Sequence, residues 1–260
     1  MNGNTINKKR VEQQFRKSIS TYNHQAYIQD NISKTLINLL TEECGNKFPH
    51  TLEIGAGTGL LTEKLLSNCE ITSLTINDLV LEMQIPLTDI CGKHDGTKIQ
   101  FEMGDAEKIP FPKLCDLIIS ASTIQWFENL HDFFIKCHAS LNNNGILAIS
   151  TFGCLNMKEV QCITGKALHY PTIEDYKTIL SQYFDTIVLE ETQLHSYFRT
   201  PADVLHHIKE TGVNGIAETR WTKKNLLQFT DEYQRFHNDK NGYELSYHPI
   251  YIICKKKKII

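Results

Sequence analysis

Short apolar runs alternate with helix-like segments through the first half of the chain. The run 115–120 is nearly continuously apolar, which is typical of a parallel strand buried on both faces of a sheet. Strands that alternate with helices indicate an α/β protein with an open, mostly parallel sheet. The predicted strands are 51–54, 71–76, a run from Ile99 that ends in Gly104-Asp105-Ala106-Glu107, 115–120 and 145–150. The predicted helices are 60–66, one beginning near Leu79, and 130–141, which a turn at 142–145 closes.

The same patterns predict elements on both sides of these strands. Two helices, 8–19 and 27–40, joined near 20–23, precede the sheet, and strands 186–197 and 247–255 complete it. The residues between the last two strands favour helices at 201–211 and 222–236. We expect a helical lid over the carboxyl ends of the strands, to which 153–168 could add a flap. The expected organisation is one domain, 1–260, with N-terminal helices at 1–42, a sheet core at 43–198 and 245–258, and a lid insertion at 199–244.

A glycine-rich turn follows the first predicted strand, with Glu53 before it and Gly55, Gly57 and Gly59 within it. Glycines let a ligand approach the backbone closely, because no Cβ is in the way. The next helix points its positive N-terminal end at such a ligand. Dinucleotide sites use the spacing G-x-G-x-x-G, but Leu60 stands where their last glycine would be. The spacing disfavours a nicotinamide oxidoreductase, and an ordinary tight turn is the alternative for this loop taken alone.

Acidic residues end the next two predicted strands. Asp78 lies roughly 20 residues beyond the glycines, where doubly wound sheets place a carboxylate that accepts hydrogen bonds from ribose. Its structural alternative is an N-cap. Asp105 ends the third strand, and a carboxylate in a half-buried cleft is a strong acceptor for an amino group. Met83 would lie on the helix after Asp78, where it could contact the ligand, and packing in the core is an equal alternative.

The glycine-rich turn and the strand-end residues together resemble the class I S-adenosylmethionine (AdoMet) methyltransferases. The resemblance implies a Rossmann-like, seven-stranded, mostly parallel sheet with an antiparallel last strand and helices on both faces. It also implies that Asp78 binds the ribose, while Asp105 and the Ala106 N–H bind the adenine. The implied cofactor residues are Gln29, Glu53, Gly55, Ala56, Gly57, Gly59, Asp78, Met83, Asp105, Ala106 and Ser120.

Composition and charge narrow the substrate class. The 260 residues contain 27 Lys and Arg against 30 Asp and Glu, a net charge of −3, which argues against a nucleic-acid substrate. Mean hydropathy is −0.30, and no apolar run approaches the ~18 residues of a membrane span. Residues 1–10 lack the pattern of a signal peptide, and eight cysteines without a C-x-x-C pair favour reduced thiols. We expect a cytoplasmic enzyme with no metal and no nucleic-acid or membrane partner.

Motifs outside the sheet core carry a more specific signal. They are Phe15, Tyr22, Ala26 and Gln29 near the start, Gln125-Trp126 after strand four, Ser150-Thr151-Phe152-Gly153 after strand five, Val204-Leu205, Ile208-Lys209 and Gly212-Val213-Asn214 in the lid, and Leu245-Ser246-Tyr247-His248-Pro249 near the end. Across nearly the whole chain they resemble the malonyl-acyl-carrier-protein O-methyltransferases of biotin synthesis. Two departures stand out. Ala56 replaces a frequent Cys, and the second strand leaves Asn77 or Asp78 as the ribose ligand, with the spacing to Met83 favouring Asp78.

This second resemblance implies methyl transfer to the free carboxylate of a malonyl thioester, which gives a methyl ester and S-adenosylhomocysteine. A carboxylate is ionised at pH 7, so the reaction needs no general base. The site has to hold one oxygen and leave the other free to attack. Three of the candidates for these roles have alternatives: Tyr22 could close over AdoMet without holding the substrate, and His248 and Trp126 could be core residues. The candidates for the catalytic role are Tyr22, Arg199, Tyr247 and His248, and those for the substrate pocket are Gln125 and Trp126.

An acidic carrier protein would favour a basic docking surface beside the cleft. Lys209, Lys223 and Lys224 are the candidates, with Arg220, His206 and His207 in the same insertion, and an ordinary solvated face is the alternative. Malonyl-coenzyme A is the alternative carrier. A free small carboxylate or a quinone-type compound is the alternative substrate, and a silent AdoMet-binding module is the alternative to an enzyme.

Overall fold

The computed structural model describes residues 6–166, 168–211 and 222–258. The predicted lid motif at 212–214 and Arg220 lie outside the described residues. The helices are α1 (Lys8–Gln25), α2 (Tyr27–Cys44), α3 (Leu60–Asn68), α4 (Gln84–Cys91), α5 (Leu130–Ser140), α6 (Lys158–Thr164), α7 (Ile173–Leu180), α8 (Pro201–Glu210) and α9 (Lys223–Glu232). The strands are β1 (His50–Ile54), β2 (Ser73–Asn77), β3 (Lys98–Phe101), β4 (Cys115–Ala121), β5 (Leu141–Phe152), β6 (Phe184–Glu191), β7 (Leu194–Phe198), β8 (His237–Asn238), β9 (Gly242–Tyr247) and β10 (Pro249–Lys256).

Seven strands form the predicted sheet, in the order β3-β2-β1-β4-β5-β10-β6. Neighbouring strands from β3 to β5 run parallel, whereas β10 runs antiparallel to β5 and to β6. The α/β fold with an antiparallel last strand is therefore confirmed. The chain order reverses where β1 lies beside β4, and such a switch point opens a crevice at the carboxyl ends of the strands.

Alternate side chains of the sheet are buried under helices on its two faces. Ile253 of β10 packs in one apolar cluster with Leu36 of α2. Ile252, one position earlier, packs in the other cluster with Phe134 of α5. None of these four side chains is accessible to solvent. The period-two alternation of a strand thus explains why helices cover both faces, as predicted.

The long strand predicted at 186–197 is broken, and a further strand, β9, precedes the predicted strand 247–255. β6 ends at Glu191 before β7 begins at Leu194, and β9 ends at Tyr247 before β10 begins at Pro249. Pro249 has no N–H to donate to a ladder, and His248 Nε2 contacts the Glu191 carboxylate at 3.1 Å, which fixes the bend. β9 pairs with β7 on one side and with β8 on the other, which makes a second, three-stranded sheet. The predicted strand 186–197 is therefore wrong in extent, whereas the predicted strand 247–255 matches β10 to within two residues. The lid helices adjoin a small sheet that the sequence did not predict.

The helices α1, α2, α3, α5, α8 and α9 begin within one residue of their predicted starts but differ in length. The helix predicted near Leu79 begins later, at Gln84, and Met83 ends a short 3-10 turn before it. α1 continues through the predicted joint at 20–23, so that Ala26 alone separates it from α2. Thr200 and Thr222 form capping boxes that start α8 and α9. The predicted turn at 142–145 lies inside β5, where the register with β4 skips these residues: Cys115 pairs with Leu141 and Leu117 with Ile146. Within it the Asn144 N–H donates to Asn142 Oδ1 (2.9 Å). No described helix combines the length and apolar character that a membrane span requires. The division of the chain into one domain with a lid stays a prediction.

Candidate active site

The glycine-rich turn follows β1 and faces a cavity at the switch point of the sheet. Gly55, Gly57 and Gly59 have φ values of +69°, +56° and +94°, which residues with a side chain rarely adopt. A Cβ at Gly55 would collide with Thr123, and a Cβ at Gly59 would collide with Ile90. A Cβ at Gly57 would meet nothing within 4 Å. Packing within the protein therefore requires Gly55 and Gly59, whereas Gly57 leaves space for a ligand.

Asp78 fastens the glycine-rich turn to the end of β2. Its Oδ2 accepts a hydrogen bond from the Gly57 N–H (2.7 Å), and its Oδ1 accepts one from the Val80 N–H (2.8 Å). Burial raises the pKa of Asp78 to about 6, although the backbone N–H groups oppose this rise. The side-chain amide of Asn77 is engaged elsewhere, since it donates to two carbonyls just after β3. The arrangement favours Asp78 over Asn77 as the acceptor for a ribose.

Three predicted cofactor residues, Glu53, Gly59 and Ser120, do not line this cavity. Glu53 is fully buried, and neither of its carboxylate oxygens has a well-formed hydrogen bond to a described residue. Burial raises the pKa of Glu53 to about 8, and the nearby Thr62 hydroxyl opposes only part of the rise. The Ser120 hydroxyl donates to the Ile54 carbonyl (2.8 Å) and so links β4 to β1. The structure places these residues where they support the turn.

The cavity in front of the turn measures about 980 Å³, including the part open to solvent. Gln29 Oε1 is a buried acceptor that lacks a donor among the described residues, as an ammonium-binding group would before its ligand arrives. The open space at Gly57 and this acceptor fit AdoMet. The predicted residues that line the cavity are Tyr22, Gln29, Gly55, Ala56, Gly57, Asp78, Met83, Asp105, Ala106 and Trp126.

Helix α1 closes over this cavity through Lys8, which the sequence did not single out. Lys8 Nζ lies 2.6 Å from Asp105 Oδ1 and also contacts the Glu107 carboxylate. Burial opposes the charge on Asp105, but the hydrogen bond from Lys8 and those of its neighbours hold the pKa of Asp105 below its ordinary value. A second ion pair, Arg16 Nε to Glu82 Oε1 (2.9 Å), ties α1 to the turn after β2. No local pattern marks Lys8, because 97 positions separate it from Asp105.

A second cavity of about 370 Å³ lies beside the first and shares part of its wall. The predicted pocket residue Gln125 lines it, as does Tyr247, and the Gln125 amide donates to the Ser122 carbonyl (2.6 Å). The sequence also gave no indication of Asn156 and Tyr170, which line this cavity and hydrogen-bond to each other (3.0 Å). The residues that line both cavities are Phe15, Tyr22, Gln29, Ser122 and Trp126.

Tyr247 is held by the lid helix α8. Its hydroxyl lies 2.6 Å from His207 Nε2, and His207 Nδ1 lies 3.3 Å from Gln25 Oε1. Burial lowers the pKa of His207 to about 4, so the imidazole is neutral and one nitrogen carries the proton. Because Gln25 presents an oxygen, that proton belongs on Nδ1, and Tyr247 donates its own proton to Nε2. Tyr247 therefore joins β9 to α8 and offers the second cavity an acceptor.

Two predicted catalytic residues lie outside both cavities. His248 is 4% exposed; its Nδ1 accepts from the Leu155 N–H (3.1 Å), and its Nε2 contacts Glu191. This placement corresponds to the core-histidine alternative. Arg199 is exposed just before α8 and is not among the residues that line either cavity. Of the four candidates, Tyr22 is the residue that lines both cavities.

The predicted docking residues Lys209, Lys223 and Lys224 are exposed on α8 and α9. Leu227, one turn beyond Lys223 and Lys224, is 71% exposed, so the surface of α9 combines positive charge with an apolar side chain. Their part in docking stays a prediction. Within the described part of the chain, no group of three or more His, Cys, Asp or Glu side chains is arranged to hold a metal ion.

The comparisons with known proteins agree with this geometry. A family described as a methyltransferase domain matches residues 52–149. The N-methyltransferase NodS of Bradyrhizobium japonicum, solved with S-adenosyl-L-homocysteine, has a similar fold (TM-score 0.52, 14% identity, 87% of this chain and 86% of that chain). A phosphoethanolamine N-methyltransferase of Haemonchus contortus, solved with S-adenosyl-L-methionine, has a TM-score of 0.55 at 15% identity, over 86% of this chain and 53% of that one. Fold and site thus define a class I AdoMet-dependent methyltransferase.

Closer relatives identify the family within that class. A malonyl-acyl-carrier-protein O-methyltransferase of Bacteroides helcogenes is 40% identical over 97% of this chain and 100% of the relative. The enzyme of the same name from Acinetobacter baylyi is 36% identical over 96% of this chain and 98% of its own. This chain belongs to the malonyl-acyl-carrier-protein O-methyltransferase family.

Proposed function

We propose that the chain transfers a methyl group from AdoMet to the free carboxylate of a malonyl thioester on acyl-carrier protein, as a step of biotin synthesis. The observation that carries this proposal is the second cavity, which shares a wall with the cavity of the glycine-rich turn. A donor in one cavity and an acceptor in the other would meet at that wall. The full-length similarity to relatives with this name supports the choice of acceptor.

The residues around the first cavity have complementary roles toward the cofactor. Asp78 and Asp105 provide carboxylates at the ends of neighbouring strands for the ribose and the adenine amino group. Gly57 leaves the approach to the backbone open. The Gln29 Oε1 acceptor suits the ammonium of the methionine part. Met83, which is 2% exposed, offers the adenine an apolar side chain.

The chemistry asks the protein for position rather than for acid or base. Bound AdoMet would supply a methyl group on a positively charged sulfur, and a carboxylate oxygen takes it while the C–S electron pair stays on sulfur. The malonyl carboxylate is ionised at neutral pH, so no side chain has to remove a proton. Orientation alone can supply ~7–11 kcal/mol of the barrier. Tyr22 lines both cavities, and burial raises the pKa of its hydroxyl, which keeps the proton that it can donate to a carboxylate.

A mass-spectrometric assay tests the proposal. Protein and AdoMet are incubated with malonyl-carrier protein, malonyl-coenzyme A or free malonate, and the gain of one CH₂ unit is measured on each. We expect the fastest methylation on malonyl-carrier protein and none on acetyl-carrier protein, which lacks the carboxylate. Faster reaction on free malonate would favour a small-molecule methyltransferase instead. No methylation of any carboxylate, with AdoMet bound, would refute the enzyme and leave a binding module. A cytoplasmic location is part of the proposal, since AdoMet and carrier proteins have to meet there.

A further inference from the structure

Three residues at the wall between the two cavities each carry a buried polar atom that lacks a hydrogen-bond partner within the described part of the chain. These atoms are Gln29 Oε1, Ser122 Oγ and Trp126 Nε1, and their residues line both cavities. Gln29 and Trp126 are only 6% and 7% exposed. Native proteins keep few such groups, because leaving a buried donor or acceptor unsatisfied costs stability. The presence of three such atoms at one wall indicates that bound ligands satisfy them. Gln29 Oε1 is an acceptor, and the proposed function assigns it to the ammonium of the cofactor.

Ser122 is held in an unusual backbone conformation at this wall. Its φ of +54° lies in the left-handed region, which is unfavourable for a residue with a Cβ. Its N–H donates to the Ser150 carbonyl (2.9 Å), and its carbonyl accepts from Gln125 (2.6 Å). Strained positions persist where the surrounding structure fixes them, and they concentrate at functional sites. The backbone thus fixes the position of a hydroxyl that has no hydrogen-bond partner among the described residues.

Trp126 presents a donor without an acceptor. Its ring packs edge-to-face against Phe15, with centroids 6.0 Å apart and planes at 86°. This packing explains why the ring is buried, but it does not satisfy the indole N–H, which can act only as a donor. An anionic oxygen is the partner that a buried N–H and a buried hydroxyl share.

The described residues around the second cavity include no lysine or arginine. Lys8 lines the first cavity but is engaged with the carboxylates of Asp105 and Glu107. An acceptor carboxylate at the shared wall would therefore meet neutral donors. A fixed cation would stabilise the ionised substrate and would lose that attraction as the neutral ester forms, which raises the barrier.

We propose that the Trp126 Nε1–H and the Ser122 hydroxyl hold the acceptor carboxylate at the shared wall, and that the positive charge of bound AdoMet, rather than a basic side chain, neutralises it. This inference rests on the proposed function. The oxygen that attacks forms the new C–O bond with its own electron pair, the C–S pair goes to sulfur, and no proton moves. The negative charge of the carboxylate and the positive charge of the sulfonium disappear in the same step, so the wall needs no charge of its own.

Binding of two carriers tests the inference. Malonyl-carrier and acetyl-carrier protein differ by the carboxylate, and their dissociation constants are measured on protein saturated with sinefungin, an unreactive analogue with a protonated amine in place of the sulfonium. Trp126→Phe and Ser122→Ala should each reduce the preference for malonyl over acetyl about 10-fold or more. Neither should change the affinity for S-adenosylhomocysteine by more than about twofold. With S-adenosylhomocysteine, which is neutral, the native preference for malonyl should be smaller than with sinefungin.

Two controls separate this role from a structural one. Ser196→Ala removes another buried hydroxyl without a partner, outside both cavities, and should leave the preference for malonyl unchanged. Ser122→Ala deletes a single unsatisfied oxygen, so its melting temperature should stay level or rise while acceptor binding weakens. Trp126→Phe also loses ring volume, and for that reason Ser122→Ala is the decisive variant if Trp126→Phe is unstable.

The outcomes distinguish the inference from the function on which it rests. An unchanged preference for malonyl in folded Ser122→Ala and Trp126→Phe would overturn the inference, although the native protein would still methylate the carrier. Weakened S-adenosylhomocysteine binding with an unchanged preference would reassign both residues to the cofactor. An equal preference with sinefungin and S-adenosylhomocysteine would overturn the role of the cofactor charge. Failure of the native protein to methylate malonyl-carrier protein would instead refute the proposed function.

Discussion

Replacing Gly57 by valine tests whether the space in front of the glycine-rich turn is the cofactor site. The new side chain would enter a region where no protein atom lies within 4 Å of its Cβ. The free protein therefore bears only the cost of a φ of +56°, about 1–2 kcal/mol for a residue with a Cβ. At about 2–4 °C for each kcal/mol in a protein of this size, the melting temperature should fall by roughly 2–8 °C.

Cofactor binding should respond much more strongly than stability. The valine methyls would occupy the space in which a ligand approaches the Gly57 backbone, so calorimetric titration with S-adenosylhomocysteine should show no measurable binding. Gly165→Val is the matched control. Gly165 has a φ of +65° and no atom within 4 Å of a built Cβ, but it follows α6 and lines neither cavity. The control should lower the melting temperature by a similar amount and keep its affinity.

The two variants together decide the assignment. A folded Gly57→Val protein with native affinity would show that the cofactor binds elsewhere. Equal loss of affinity in Gly165→Val would attribute the effect to backbone strain rather than to the occupied space.

Three further changes test other parts of the structure. Lys8→Met removes the ion pairs of α1 with Asp105 and Glu107, so the association and dissociation rates of S-adenosylhomocysteine, measured by stopped flow, should both rise several-fold. Arg16→Met is the control, because it breaks more exposed ion pairs and should change these rates less. Unchanged rates in Lys8→Met would contradict the role of Lys8 in closing the cavity. Folding raises the pKa of Glu53 from 4.5 to about 8, so the folded state holds a proton that the unfolded state releases, and the free energy of unfolding falls as pH rises through that range. In Glu53→Gln, the free energy of unfolding measured with denaturant should no longer fall over this pH range. A native protein whose free energy of unfolding does not change with pH there would contradict the burial argument. Charge reversal at Lys209, Lys223 and Lys224 should raise the KM for malonyl-carrier protein. The increase should be smaller at higher salt, because exposed charges are screened beyond ~10 Å at 0.1 M ionic strength. Lys98→Glu, at the amino end of β3, is the control, and an unchanged KM at low salt in the lid variants would exclude docking by these lysines.

Local patterns predicted the parts of the site that depend on neighbours in sequence. Parallel strands bring their carboxyl ends to one edge, so residues after β1, β2 and β3 had to meet once the strands were recognised. Asp78 and Asp105 line the first cavity for this reason. Thr200 and Thr222 set the starts of α8 and α9 through hydrogen bonds that span three residues, which a sequence pattern also contains.

Contacts between distant segments account for what the sequence could not show. Pro249 is a local signal for the break between β9 and β10, but the contact of His248 with Glu191 at that bend joins two distant segments, and no local pattern records such a pair. Lys8 closes the cavity through a residue 97 positions away. The chemistry of Arg199 and its place before the lid predict a catalytic role, but a linear pattern does not tell which way a side chain points. Ser122 Oγ and Trp126 Nε1 become buried without a hydrogen-bond partner among the described residues only when distant segments fold into the wall, which a linear pattern does not record.

The shared wall couples cofactor and acceptor through the N-terminal helices. α1 contributes Phe15 and Tyr22, α2 contributes Gln29, and the segment after β4 contributes Ser122 and Trp126. The sheet side of the wall is fixed by backbone hydrogen bonds within the core, whereas α1 is fastened over the cavity by ion pairs that solvent can reach in part. Opening α1 would therefore expose both cavities at once. Because the two cavities share these residues, cofactor bound in the first would also order the wall against which the carboxylate lies, and tight closure of α1 should matter most when both ligands are present.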